Sequence, residues 1–392
     1  MKNIKLNNKK ILIRTDFNVP IDNGKIIDNF RIEASIPTIK YCLASKASVV
    51  LISHLGRPGG RFVEKYSLDP IAFALEEILS TEVMFSSDCI SDDAINLSAQ
   101  MKSGEIHLLE NLRFHKGEEE NDPIFSWNLS RHGEIYINDA FGTSHRSHAS
   151  NVGIIDYMDN SAIGLLMQKE KKYLSEIFRE NHSPATLILG GSKVTDKIKL
   201  MENLFSKIDY MLIGGAMAFP FLKVKGYEVG KSYCDLKSLS IAKSIISLAN
   251  EKNVQLIFPD DVVVSEKLAY DSTIEIRGVN DIGNNEAGYD IGPETTLKFQ
   301  DIINTSELVI WNGPLGVCEY PIFSTGTEAI ASHLSDKTNE GVITIIGGGD
   351  TASAINSNSD LSFTHISTGG GASLKMLGGQ DLAAFKMIKN NE

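Results

Sequence analysis

Short apolar runs alternate along this chain with longer stretches whose apolar residues recur at helical spacing, the pattern of a parallel sheet covered by helices. In the first half the runs predict strands at Ile11–Ile13, Val49–Ser53, Ile106–Leu109 and Ile135–Ile137. In the second half they predict strands at Thr186–Leu189, Met211–Ile213, Leu256–Phe258, Leu308–Trp311 and Val342–Ile346. Almost every run ends in a polar or glycine-rich turn: Arg14-Thr15-Asp16, His54-Leu55-Gly56-Arg57, Gly190-Gly191-Ser192-Lys193, Asn312-Gly313-Pro314 and Gly347-Gly348-Gly349-Asp350. Open α/β sheets bind ligands beyond the carboxyl ends of their strands, so two binding floors are expected, one in each half. Between the halves, Met167–Glu180 has helical period, heavy charge and neither Gly nor Pro, and reads as a connecting helix. The acidic run Glu118–Glu120 reads as a solvated loop.

With 392 residues, 42% of them hydrophobic, the chain can fill two cores. A net charge of -12 argues against nucleic acid as a partner, because such a binder presents a broad basic face. No apolar run approaches a membrane span, and the first residues do not form a signal peptide, so a soluble cytoplasmic protein is expected. Cys42, Cys89, Cys234 and Cys318 are far apart and without C-x-x-C spacing, which predicts reduced, buried thiols rather than bridges or metal ligands.

The basic groups are therefore local, and they are unevenly placed. Seven of the nine arginines precede residue 150, whereas the glycine doublets and triplets lie almost entirely after residue 189. Arg14, Arg31, Arg57, Arg113 and Arg146 each belong to a distinctive local run, and a guanidinium fork matches phosphate and carboxylate oxygens. Two substrates on two domains are the consequence. Each glycine cluster follows an apolar run and precedes a plausible helix, an arrangement that can hold an anion but equally serves a tight turn. Asp350-Thr351 after Gly347-Gly348-Gly349 tips the balance, since a carboxylate and a hydroxyl there suit Mg²⁺ and phosphate oxygens. Lys193 and Lys197, one turn apart at a predicted helix start, could both reach a polyphosphate. Neither G-x-x-x-x-G-K-[ST] nor G-x-G-x-x-G occurs, which counts against a P-loop NTPase and a dinucleotide dehydrogenase.

Taken together, R-T-D-F-N-V-P, S-H-L-G-R-P, N-D-A-F-G-T-S-H-R-S-H-A-S, G-G-S-K-V-T-D-K, D-I-G-P-E-T, W-N-G-P-L-G-V, G-G-G-D-T-A and H-I-S-T-G-G-G-A-S-L stand in this order from Arg14 to about Leu377. The set resembles the phosphoglycerate kinase family over essentially the whole chain. The resemblance implies an α/β protein with two Rossmann-like domains, their parallel sheets facing a central cleft. It implies an N-terminal phosphoglycerate-binding domain over residues 1–166, the connecting helix at 167–180 and a nucleotide-binding domain over 181–375, with the tail from about 376 to 392 packing back on the first domain. The implied reaction is reversible transfer between 1,3-bisphosphoglycerate and ADP, giving 3-phosphoglycerate and ATP with Mg²⁺, in glycolysis and gluconeogenesis, by a monomer.

Carried over motif by motif, the resemblance places Asp16, Phe17, Asn18 and Arg31 at the glycerate end of the substrate. It places His54, Leu55, Gly56, Arg57, Arg113 and Arg146 around the phosphate that is not transferred. Gly191, Lys197, Gly214, Asn312, Glu319, Gly347, Gly348, Gly349, Asp350 and Thr351 resemble the nucleotide contacts, with Asp350 on the metal side. Arg31, Lys193, Gly348 and Gly371 are the implied catalytic set. Phosphoryl transfer through a charge-spread transition state needs positioning and positive charge more than a base, because the acceptor carboxylate is already ionised. Arg31 and Lys193 would neutralise the migrating group, and the helix start at Gly369–Gly371 would add donors. The halves would close to align the substrates and exclude water.

Some residues have plainer readings. His145 and His148 have no third metal ligand nearby in sequence and are expected to hydrogen-bond beside Arg146. His54 is expected to orient phosphate rather than act as an acid or base. Trp127 and Trp311 read as packing residues. Departures from the family pattern are few: Lys375, Leu377-Gly378-Gly379 where Leu-Glu-Gly is usual, and Cys318 where phenylalanine is usual.

Overall fold

The computed structural model describes residues 4–192, 194–356 and 360–389. It divides into two compact units, Met1–Lys172 with Asp381–Glu392, and Tyr173–Gln380.

In the first unit six parallel strands lie in the order Val83–Ser86, Ile106–Leu109, Ser48–Ile52, Lys10–Arg14, Ile135–Asn138, Ser161–Ile163. The central strands are continuous apolar runs because helices cover both faces. Ile11, Ile13, Val49 and Leu51 pack on one side with Ile32, Ile36 and Ile39. Leu12, Val50, Ile52 and Tyr136 pack on the other. The chain order reverses between Lys10–Arg14 and Ile135–Asn138, so the turns after these strands flank a topological switch point. The Ala383–Lys389 helix belongs to this unit, with Ala384 N–H donating to Ser144 O at 3.0 Å and Phe385 edge-on to Phe141.

The second unit repeats the plan in the order Gln255–Ile257, Tyr210–Ile213, Ala185–Leu189, Leu308–Asn312, Ile343–Gly347, His365–Ile366, again all parallel. Its switch point falls between Ala185–Leu189 and Leu308–Asn312. An antiparallel sheet of Glu275–Gly278, Asp261–Ser265 and Ala287–Ile291 is added.

Each apolar run expected to be a strand is one, with ends shifted by a residue. The edge strands Val83–Ser86, Ser161–Ile163 and His365–Ile366 and the antiparallel sheet are additional; those edge strands are short or only half-buried, whereas Asp261–Ser265 of the antiparallel sheet carries the buried run Val262-Val263-Val264, which the expected strands do not include. The connecting helix is shorter than 167–180. An α-helix covers Leu165–Leu174, Ser175 leaves helical geometry, and Glu176–Arg179 forms a 3₁₀ turn, which buries Ile177 three residues after Leu174. Glu118 is fully buried on a short helix, Lys116–Glu120, and not solvated. Cys42 and Cys89 are buried, but Cys234 and Cys318 only partly. Trp311 is a core residue, while Trp127 is 46% exposed beneath the Arg131 guanidinium.

Candidate functional site

In the first unit, the turns after the strands carry one connected polar cluster. Arg31 stands in the first turn of the Phe30–Ala44 helix, whose start is held by Asp28 accepting from Phe30 N–H at 2.8 Å. Its guanidinium donates to Asn18 O at 3.0 Å and lies 3.6 Å from Asp16 Oδ2. The Asn18 side-chain oxygen accepts from Gly56 N–H at 2.8 Å, and Gly56 O accepts from Arg113 at 2.7 Å. Phe17 is buried, with its N–H on Ser53 Oγ at 2.8 Å. Asn111 supports Leu55 and Arg113 together, donating to Leu55 O at 2.7 Å and accepting from Arg113 N–H at 3.0 Å.

His54 is buried at the centre. Burial pushes its imidazole well below the usual histidine range, and Arg14, Arg113, Arg31 and Arg146 push it further. A neutral ring follows. Arg14 donates to Nδ1 at 3.3 Å, so the ring proton sits on Nε2, and the 3.8 Å approach of Nδ1 to Asp16 is not an ion pair. Burial and Arg14 bring Arg113 down to about 10, leaving it charged at neutral pH. Arg146 is half-buried, with a buried Nε that has no hydrogen-bond partner among the described residues. Arg57 is exposed.

Arg14, fully buried, underlies this cluster. It donates to Ser150 Oγ at 2.8 Å and faces Glu118 at 3.9 Å. Burial opposes ionisation of Glu118, but His148, Arg14 and Ser150 outweigh it and hold the carboxyl below its usual range. His148 Nδ1 lies 3.7 Å from Glu118 Oε1.

In the second unit, glycine turns converge at the switch point. Lys197 is buried and its ammonium donates to Gly190 O at 2.8 Å and Asn312 O at 2.7 Å. It ends a 3₁₀ turn, Val194–Lys197, rather than opening an α-helix; Lys193 lies outside the described residues. Gly190 is packed so closely that a β-carbon would lie 2.1 Å from Pro314 O. Thr351 Oγ1 accepts from Gly313 N–H at 2.7 Å and donates to Gly347 O at 3.0 Å, tying two strand ends together. Gly348 has φ +97°, which a residue with a side chain rarely adopts, and it turns the chain into the Gly349–Asn356 helix. The Asn312 amide nitrogen is buried beside Gly347 and Gly348, without a hydrogen-bond partner among the described residues. Gly191 and Gly214 line the adjacent strand ends, with Gly214 N–H donating to Leu189 O at 2.8 Å. Gly371 lies in the first turn of Gly370–Leu377.

This floor offers two helix N-termini, Gly349 and Gly370, and backbone N–H groups beside a buried lysine, the donor set of a polyphosphate site. Asp350 is exposed in the first helical turn, a hard oxygen donor next to those N–H groups, and so fits Mg²⁺. Glu319 is exposed and the structure gives it no feature beyond its position. What the sequence left unread is Arg14 and Glu118 as the buried support of the arginine cluster; the one signal was Arg14 at the end of an apolar run, whereas Glu118 sits in a polar one.

The family model for phosphoglycerate kinase matches residues 1–380. The chain is 45% identical to the phosphoglycerate kinase of Chloroherpeton thalassium over 383 residues, covering 97% of this chain and 96% of that one. It is 45% identical to the cytosolic phosphoglycerate kinase of Triticum aestivum over 379 residues, 96% and 94% of the two chains. Among solved structures, the phosphoglycerate kinase of Coxiella burnetii superposes with a TM-score of 0.86 at 37% identity, covering 100% of this chain and 98% of that one. That of Pyrococcus horikoshii gives 0.84 at 30% identity with the same coverage.

Proposed function

The chain belongs to the phosphoglycerate kinase family, an enzyme transferring a phosphoryl group between 1,3-bisphosphoglycerate and ADP, and on that premise we propose which residues serve each substrate. Asp16, Asn18 and Arg31 bind the glycerate end. Arg57, Arg113 and Arg146 clamp the phosphate that stays behind, and neutral His54 presents its Nε2 proton to an anion. The observation that carries this is the gathering of Arg14, Arg31, Arg113 and Arg146 about one buried imidazole, with the buried Arg146 Nε unpaired among the described residues. Lys197, Asn312, Thr351 and the glycine turns Gly190-Gly191 and Gly347–Gly349 hold the nucleotide, supported by the buried lysine and the two helix starts.

The chemistry asks little of acid or base. The acceptor carboxylate is ionised, and Arg31 and Lys193 lower the charge on the migrating group as it moves. Donors at the start of Gly370–Leu377 and at Gly348 add to this. Asp350 is the residue that would hold Mg²⁺, which supplies charge neutralisation on the nucleotide oxygens when bound. A cytosolic monomer completes the reading; the wheat relative is likewise a cytosolic enzyme.

Calorimetric titration tests the assignment. Arg146→Ala is expected to weaken 3-phosphoglycerate binding by about 1.5–3 kcal/mol, the worth of a charge-assisted hydrogen bond, and to leave ADP affinity unchanged. Equal losses for both ligands would overturn the division between units.

A further inference from the structure

We propose that Asp88, Cys89 and His115 form a transition-metal site suited to Zn²⁺ in the first unit. The Val83–Ser86 strand runs into the turn that carries Asp88 and Cys89. Its neighbour Ile106–Leu109 leads through the Leu112–Phe114 turn to His115. Parallel pairing thereby delivers both segments to the same end of the sheet. A carboxylate oxygen, a sulfur and an imidazole nitrogen come to lie within 4.8 Å of one another, with His115 Nε2 at 3.2 Å from Asp88 Oδ2. Such separations approach the edges of a tetrahedron with metal–ligand bonds of about 2.0–2.3 Å. The mixture of sulfur, nitrogen and oxygen favours Zn²⁺ over Mg²⁺ or Ca²⁺, which take oxygen donors, and three protein ligands leave a fourth position open.

The surroundings hold these donors in place. Asp88 Oδ1 accepts from the N–H groups of Ile90 at 2.7 Å and Ser91 at 2.8 Å, which orients the other oxygen toward His115. His132 Nε2 donates to the Cys89 carbonyl at 3.1 Å, and the His115 ring lies against Phe125. Cys89 is fully buried, whereas the Asp88 and His115 side chains are 39% and 29% exposed, so the sulfur side is closed and the other side is reachable from solvent. Binding replaces the S–H bond with an S–Zn bond and releases the thiol proton to water. The ion would tie the loop after Val83–Ser86 to the segment between Arg113 and Glu118, yet none of its three ligands is assigned to phosphoglycerate or nucleotide.

The test uses the full chain, stripped of metal and free of nucleotide, titrated with Zn²⁺ and separately with Co²⁺. Uptake of one Zn²⁺ per chain is expected, with a raised thermal midpoint, and the Co²⁺ form should show a thiolate-to-metal charge-transfer band. Cys89→Ser should abolish the band. His115→Gln, at a partly exposed position, should keep the fold and weaken Zn²⁺ about 10- to 100-fold or more. The proposal is overturned by no Zn²⁺ uptake, by a band that survives Cys89→Ser, or by parental Zn²⁺ affinity in His115→Gln. If Cys89→Ser does not fold, the His115→Gln titration alone decides.

Discussion

At the scale of single residues, the decisive pair is Arg14 and Glu118. A guanidinium with no exposed surface is tolerable only when its charge is answered nearby, and here Glu118, itself fully buried, is that answer, reinforced by Ser150. Breaking such a pair leaves an uncompensated charge in the interior. Glu118→Gln is therefore expected to destabilise the first unit by about 3 kcal/mol or more, measured by urea titration. A loss below about 1 kcal/mol would show that Ser150 and His54 suffice to hold Arg14. The effect should also reach substrate affinity, because Arg14 sets the tautomer of His54.

At the scale of elements, a chain of neutral side chains stitches strand to helix. The Cys89 carbonyl can only accept, so His132 carries its proton on Nε2 and its Nδ1 accepts from Ser98 Oγ–H at 2.7 Å. Ser98, on the Asp92–Gln100 helix, must then accept from His107 Nδ1–H at 2.9 Å, and His107 Nε2 accepts from Ser86 Oγ–H at 2.8 Å. Every donor is used once. Burial pushes both imidazoles down to about 4, with His132 adding to the effect on His107. In the unfolded chain they titrate near 6.5, so between these values the unfolded state takes up protons that the folded state refuses. Stability present above pH 6.5 is lost as pH falls to 4, on the order of 2–3 kcal/mol per imidazole, with no further loss from these groups below. His132→Gln keeps an acceptor and a donor without a titrating group. Urea titrations across that range should show a shallower decline for the variant, and an identical decline would remove His132 from the account.

At the scale of the molecule, each unit has its own parallel sheet and its own switch point, and in the proposed assignment each holds one substrate. Ligand binding stabilises whatever folds to hold it, by about 2.7 kcal/mol at a hundredfold excess over Kd. Hydrogen exchange should therefore slow mainly within Met1–Lys172 when 3-phosphoglycerate is added, and mainly within Tyr173–Gln380 when ADP is added. Uniform protection by either ligand alone would contradict separate sites.

The sequence by itself determined the central strands and the turns that end them. A strand buried on both faces must be a continuous apolar run, and a backbone at φ +97° or pressed against Pro314 O calls for glycine, so these signals are local. It also placed seven of the nine arginines before residue 150 and most glycine clusters after residue 189. Tertiary structure alone decided the rest. Glu118 looks like one of three solvated glutamates until Arg14, Ser150 and His148, distant in sequence, surround it. The Leu165–Leu174 helix ends at Ser175 because burying Ile177 requires a tighter turn, although no breaker residue stands there. The edge strands Val83–Ser86, Ser161–Ile163 and His365–Ile366 form through pairing with a neighbour rather than through their own apolar pattern. Burial, which couples residues far apart in the chain, sets the proton on His54 and on the His107–His132 chain, and no local pattern of residue types encodes it.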